Sequence, residues 1–223
     1  MRHTKYSVVL CAALGIYAFP QVPASAQAGF DCGKASTATE KAICSKEEIS
    51  EADRAMSIAY SALIERADPA LKNALRVDQG DFIRLRAEAF ESRLSNPESK
   101  LTDLLDRTEM RAEFLNWISV TSTPSLEGNW RNEWGLVEVE RNKSGQLAVK
   151  LNVADQANGS WVCSFEGVLE QKTAGEAEFK GENGPLVLRL EGATLKIPTP
   201  FCDGSTSGGF GTAAGTYFRV GAP

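Results

Sequence analysis

From residue 37 to about residue 120, apolar side chains recur every three or four positions, the spacing of amphipathic helices. Ile49, Ala52, Met56, Ala59, Tyr60 and Leu63 form one stripe, and Ser45 followed by Glu48 reads as a capping box at its start. That helix should end near Ala67. Asp68-Pro69 then supplies an N-cap with proline in the first turn, ahead of a stripe of Leu71, Leu75, Phe82, Leu85 and Ala89. Gly80 weakens this second helix by about 1 kcal/mol relative to alanine. Asn96-Pro97 repeats the start signal before Leu101, Leu104, Leu105, Phe114, Leu115 and Ile118. Three amphipathic helices with short connections predict an antiparallel helical hairpin or three-helix bundle.

The period then falls to two. Leu136, Val137 and Val139; Leu147, Val149, Leu151 and Val153; Trp161, Cys163 and Phe165; Leu186, Leu188 and Leu190; and Leu195 with Ile197 carry apolar residues at strand spacing. Turn signals separate them, among them Lys143-Ser144-Gly145, Ala157-Asn158-Gly159 and Glu191-Gly192. Seven or eight antiparallel strands are expected, in a small β-barrel or sandwich closed by a last strand through Thr216, Tyr217 and Phe218. The fold class is therefore α+β. The Thr/Ser/Pro stretch at 121–125 is the expected linker between a helical domain at 29–120 and a β domain at 126–223.

The first 28 residues change the picture. A basic start (Arg2, Lys5), an apolar run from Val8 to Phe19 and small residues through Ala24-Ser25-Ala26-Gln27-Ala28 read as a secretory signal peptide, cleaved after Ala26 or Ala28. The apolar run is shorter than the roughly 20 residues that cross a bilayer. Leu10 before Cys11 and Asp31 before Cys32 do not suit a lipid anchor, so no stable membrane anchor is expected. Cleavage removes Arg2 and Lys5 but no acid, and the formal charge moves from −5 to −7. Such acidity disfavours nucleic acid and favours a cationic protein partner. The leader also takes with it His3, the chain's one histidine, so no Ser/His/Asp or Cys/His arrangement can be built from what remains. Four cysteines remain: Cys32 and Cys44 in the helical half, Cys163 and Cys202 in the β half. Among three possible pairings, bridges within each half are expected in an oxidising compartment. The shorter loop would contribute about 3 kcal/mol.

The stretch from Phe30 to Cys44, Phe-Asp-Cys-Gly-Lys-Ala-Ser-Thr-Ala-Thr-Glu-Lys-Ala-Ile-Cys, resembles the opening of the lysozyme inhibitor LprI-type N-terminal domain. The resemblance continues through Ile49, Asp53 and Tyr60, and more weakly through Gln79, Phe82, Ile83 and Arg86, where the family usually has Gln-x-x-Trp-Leu-x-x-Arg. It covers about residues 30–115. Phe82 departs from the usual tryptophan, and a second cysteine pair common after the arginine is missing, with Ala87 and Phe90 in that neighbourhood. Loss of both members together supports a bridge from Cys32 to Cys44. The resemblance implies a periplasmic or secreted binding protein whose partner is a lysozyme or another cationic protein. The β half is similar only in architecture to the small barrels of C-type lysozyme inhibitors, which insert a polar loop into the enzyme cleft.

Candidate partner-binding residues follow from these readings. Trp130 and Trp134 flank Asn132 and Glu133 and offer an aromatic platform, set against the plainer expectation that one or both plug the barrel or cover the helices. Asp203, Ser205, Thr206 and Ser207 lie in a Gly-rich loop comparable to an inhibitory loop, or equally to a strand connection. Carboxylate chemistry of the glycosidase kind would have to recruit Glu133, Glu138, Glu140 or Glu166, but acids on strands usually form a solvated face. No catalytic residue, cofactor or metal ion is assigned. The alternative to inhibition is an envelope interaction module that docks through its helices.

Overall fold

Helices begin here where short polar side chains can take up free backbone N–H groups. The computed structural model describes residues 28–92, 96–181, 184–202 and 211–221; most of the leader, residues 1–27, lies outside them. After a 3-10 turn at Cys32–Lys34 come α1 (Ala38–Ser45), α2 (Glu47–Arg66), α3 (Pro69–Glu91) and α4 (Pro97–Trp117). Asp68 accepts from Leu71 N at 2.8 Å and Asn96 from Ser99 N at 2.9 Å, so both predicted Asx-Pro starts are formed. The capping box lies elsewhere than expected. Thr37 and Glu40 form it at the start of α1, with the Thr37 side chain accepting from Glu40 N and the Glu40 carboxylate accepting from Thr37 N. Ser45 is instead the last residue of α1, its hydroxyl donating to Ala42 O at 2.8 Å, and α2 starts from Lys46 without a side-chain cap. The extra short helix is held by a Cys32–Cys44 disulfide and by Ile43, buried with Ile49 and Leu104.

Nine strands follow: β1 (Gly128–Asn132), β2 (Gly135–Arg141), β3 (Leu147–Ala154), β4 (Val162–Val168), β5 (Glu170–Thr173), β6 (Glu176–Gly181), β7 (Gly184–Glu191), β8 (Thr194–Ile197) and β9 (Gly215–Val220). They form one antiparallel sheet in the order β4-β3-β2-β1-β9-β8-β7-β6-β5, curled into a nearly closed barrel. Its two edges, β4 and β5, are consecutive in the chain, separated only by Leu169. Phe165 of β4 packs on Phe179 of β6 with ring centres 4.6 Å apart, and a Cys163–Cys202 disulfide ties β4 to the segment after β8. Alternation places Val149, Leu151 and Val153 of β3 and Leu186 and Leu188 of β7 in the interior.

Strand β9 departs from simple alternation because both of its faces are covered. Tyr217 points into the barrel core, whereas Phe218 joins the helical core of Leu63, Leu71, Leu75, Phe114 and Leu115 and meets Phe114 edge-on at 6.3 Å. The chain leaving α4 adds to this junction: Ile118 bridges Val220, and Ser119 N donates to Arg219 O at 2.9 Å. Helices and barrel thus share one apolar cluster. No helix among the described residues is long and apolar enough to cross a membrane.

Candidate functional site at the helix–barrel junction

The helical half carries polar side chains on its apolar faces, and they bond to one another. Asp53 of α2 receives Arg86 Nη1 of α3 at 2.9 Å, and the same nitrogen donates to Thr108 Oγ1 of α4 at 3.2 Å. One turn away, Arg111 Nε donates to Gln79 Oε1 at 2.9 Å, while its Nη2 lies 2.8 Å from Asp78 Oδ2 and its Nη1 3.4 Å from Glu133 Oε2. Phe82 lies beneath both guanidinium groups, at 5.2 Å from that of Arg86 and 5.1 Å from that of Arg111. Asp53, Gln79 and Arg86, which share in the sequence resemblance, and Phe82, where the chain departs from it, therefore bind α2, α3 and α4 together.

The Arg111 cluster reaches the barrel through the β1–β2 turn. Asn132 Oδ1 accepts from Trp134 N and Gly135 N at 2.9 and 3.1 Å, and Glu133 N donates to Asp78 Oδ1 at 2.7 Å. Burial pushes the Asp78 carboxyl above the usual carboxylate range against the pull of Arg111. Burial likewise raises Glu133 to about 7; Arg111 opposes the shift and Asp78 adds to it. Glu133 is therefore a carboxyl held inside an ion-pair network. Glu138, Glu140 and Glu166 are on strands, Glu138 and Glu166 both opposite Lys150 across β2, β3 and β4, with Glu140 and Glu166 exposed.

Beside this turn, α3 and one end of the barrel enclose a cleft of about 710 Å³. Asp68, Asp78 and Asp81 line its helical wall; Glu191, Lys196 and Trp134 line the opposite one. Four acids face one lysine; Asp78 is paired with Arg111, and Asp81 accepts from Arg84 Nη2 at 3.2 Å. Val77 is 63% exposed on the same wall, so an apolar surface accompanies the charge.

The candidate residues separate by depth. Trp130 is fully buried in the barrel, its Nε1 donating to Leu126 O at 2.8 Å. Trp134 stands partly exposed at the cleft, stacked on Trp161 at 5.7 Å with the Arg84 guanidinium 5.6 Å over its ring. Asp203, Ser205, Thr206 and Ser207 lie outside the described residues. Of the residues on either side, Cys202 is bridged to β4, and Gly211 packs so closely on Trp161, which stacks on Trp134, that a Cβ there would come within 2.1 Å of the ring.

A Cys-bridged N-terminal turn, a buried Asp53–Arg86 pair and a Gln79–Phe82–Arg86 face on α3 define the helical half. Residues 32–115 match the family model for lysozyme inhibitor LprI. The matched LprI region spans α1 to α3 and nearly all of α4, and it ends three residues before Ile118 meets the barrel. No curated protein and no solved structure gives a significant match to the chain. Asp78, Arg111 and the barrel face of the cleft were not singled out from sequence. The signal was present, because Asp78 lies on the Leu71–Leu75–Phe82 face of α3, and Thr108 and Arg111 lie between Leu104 and Leu115 on that of α4.

Proposed function

We propose that the protein is an exported, lysozyme-inhibitor-like binding protein that acts by recognition rather than catalysis, with the cleft between α3 and the barrel as its contact surface for a cationic partner. The observation that carries this reading is the acid-lined cleft with Trp134 at its rim, built on an LprI-matching scaffold. A lysine or arginine side chain entering the cleft meets Asp68 and Glu191, with Asp81 already paired to Arg84, and its aliphatic stem can cover Val77. Trp134 suits the role of anchor because it is aromatic, partly exposed and already fixed by Trp161 and Arg84. Two disulfides, the acidic charge and the leader-like first residues support an extracytoplasmic location.

The test is a cell-lysis assay with chicken-type and goose-type lysozymes, using protein expressed through export. Inhibition at low salt that weakens as salt rises, and that falls about tenfold in Glu191→Lys, is expected. Unchanged lysis at micromolar excess and low salt would remove the inhibitor reading. Inhibition indifferent to Glu191→Lys would move the contact away from the cleft.

A further inference from the structure

The backbone nitrogen of Gly29 donates to Asp53 Oδ2 at 3.1 Å. The other carboxylate oxygen of Asp53 holds Arg86, and the Asp53 side chain is only 3% exposed. Position 29 admits no side chain: a Cβ there would lie 1.9 Å from Ser57 Oγ and 3.1 Å from the Asp53 carbonyl oxygen. Residue 29 is thus a glycine pressed onto α2, with its nitrogen aimed at a buried carboxylate, and Ala28 before it is buried in one cluster with Ile43, Ile49 and Leu104. The residue as a whole is exposed, and its bond to Asp53 is partly buried. In the sequence Gly29 directly follows Ala26-Gln27-Ala28, a small-x-small processing pattern.

We propose that the leader is cut between Ala28 and Gly29, and that the new α-ammonium of Gly29 forms an ion pair with Asp53. The proposal rests on the reading of the chain as an exported protein. A leader peptidase adds one water across the Ala28–Gly29 peptide bond, leaving a carboxylate on Ala28 and an amine on Gly29 that is protonated at neutral pH. The single neutral donor at Asp53 Oδ2 becomes a charged one, and charge-assisted hydrogen bonds are roughly twice as strong as neutral ones. One ammonium N–H keeps the bond to Oδ2. Cleavage two residues earlier would leave Asp53 with the neutral amide it already has. Processing at Gly29 therefore adds the mature N-terminus to the Asp53–Arg86–Thr108 network across α2, α3 and α4.

Intact-mass and N-terminal sequencing of protein exported from the full-length chain should give Gly29 as the first residue. A chain starting at Gln27 overturns this proposal and leaves the export reading standing; an unprocessed, unexported chain overturns both. On the Gly29 form, labelling of the α-amine by an amine-reactive reagent near pH 7.5 should be about tenfold slower in the folded protein than in urea, the effect of holding the group charged by one further pH unit. Equal rates overturn the ion pair. A form beginning at Ala28 should label equally fast in both conditions; protection of that form too would mean that Asp53 is not the cause, and would also overturn it.

Discussion

The two halves of this protein are held together by different forces. Inside the barrel, Val149, Leu151, Leu186, Leu188, Leu195 and Ile197 pack with little polar interruption, and the polar atoms of Trp130 and Tyr217 each bond a backbone carbonyl. Between the helices, two arginines with almost no exposure, Arg86 and Arg111, are fixed by Asp53, Asp78, Gln79, Thr108 and Glu133. An apolar core tolerates sliding among similar shapes, whereas a buried guanidinium accepts only the arrangement that satisfies its charge. The difference teaches that the helical half is specified by polar geometry and the barrel by volume and alternation.

The contrast can be broken most forcefully at Arg111. Arg111→Met strands Asp78 and Glu133 in a buried site and should destabilise the protein by about 3–5 kcal/mol, read as a lower urea midpoint. A loss below 1 kcal/mol would mean that the helices are held by apolar contact, like the barrel. The matching barrel change, Leu188→Ala, removes a side chain with no exposure and should cost about 2–5 kcal/mol through lost burial and the cavity left behind. Its effect should not depend on pH, and a strong pH dependence would show that the barrel shares the ionic character of the helices.

The pH response sharpens the comparison further. Glu133 binds its proton more tightly in the folded chain, where burial raises it to about 7, than in the unfolded chain. Its contribution to stability is therefore full below the ordinary carboxylate range and is lost as pH rises through about 7, at no more than about 1.4 kcal/mol per pH unit. Urea midpoints at pH 5 and pH 8 should show this fall, and Glu133→Gln should flatten it. Asp78, Arg111, Arg131 and Arg107 face the same carboxyl and set its size. The smallest effect belongs to Gly80, exposed in the middle of α3 with open space where a Cβ would stand. Gly80→Ala should stabilise by about 1 kcal/mol, seen as a melting temperature raised by a few degrees.

Legibility in the sequence followed the same division. Alternation revealed β2, β3, β4, β7 and β8, because one face of each carries large apolar residues, whereas β9 was legible only as a closing strand through Thr216, Tyr217 and Phe218, since both of its faces are covered. It did not reveal β5, whose four residues are all exposed, nor β6, whose inward position at Ala177 is too small to mark a stripe. In β1, Trp130 stands alone among Gly128, Asn129, Arg131 and Asn132, so pattern alone left platform and barrel plug open, and Trp130 is buried inside the barrel. The helix starts at Asp68 and Asn96 were legible because caps are local. The helical pattern begins at Thr37, but the capping box there is not distinguished by spacing, because Thr37 and Glu40 have the same spacing as Ser45 and Glu48; only the position of Ser45 at the end of α1 separates them. Asp53, Gln79 and Arg86 were legible as letters of a resemblance, but their bonds to one another span as many as 33 residues and depend on three helices meeting. The cleft was not legible at all, since α3 and the end of the barrel are brought together only by tertiary packing.

Strand β9 has a consequence for when the molecule can come together. It lies between β1 and β8, in the middle of the sheet, and gives Tyr217 to one interior and Phe218 to the other. Of the nine strands among the described residues it leaves the ribosome last. Until it arrives, the four strands before it on each side are separate meanders and the helical core lacks the ring that Phe114 meets. A nascent chain therefore completes neither of the two cores until β9 has been synthesised.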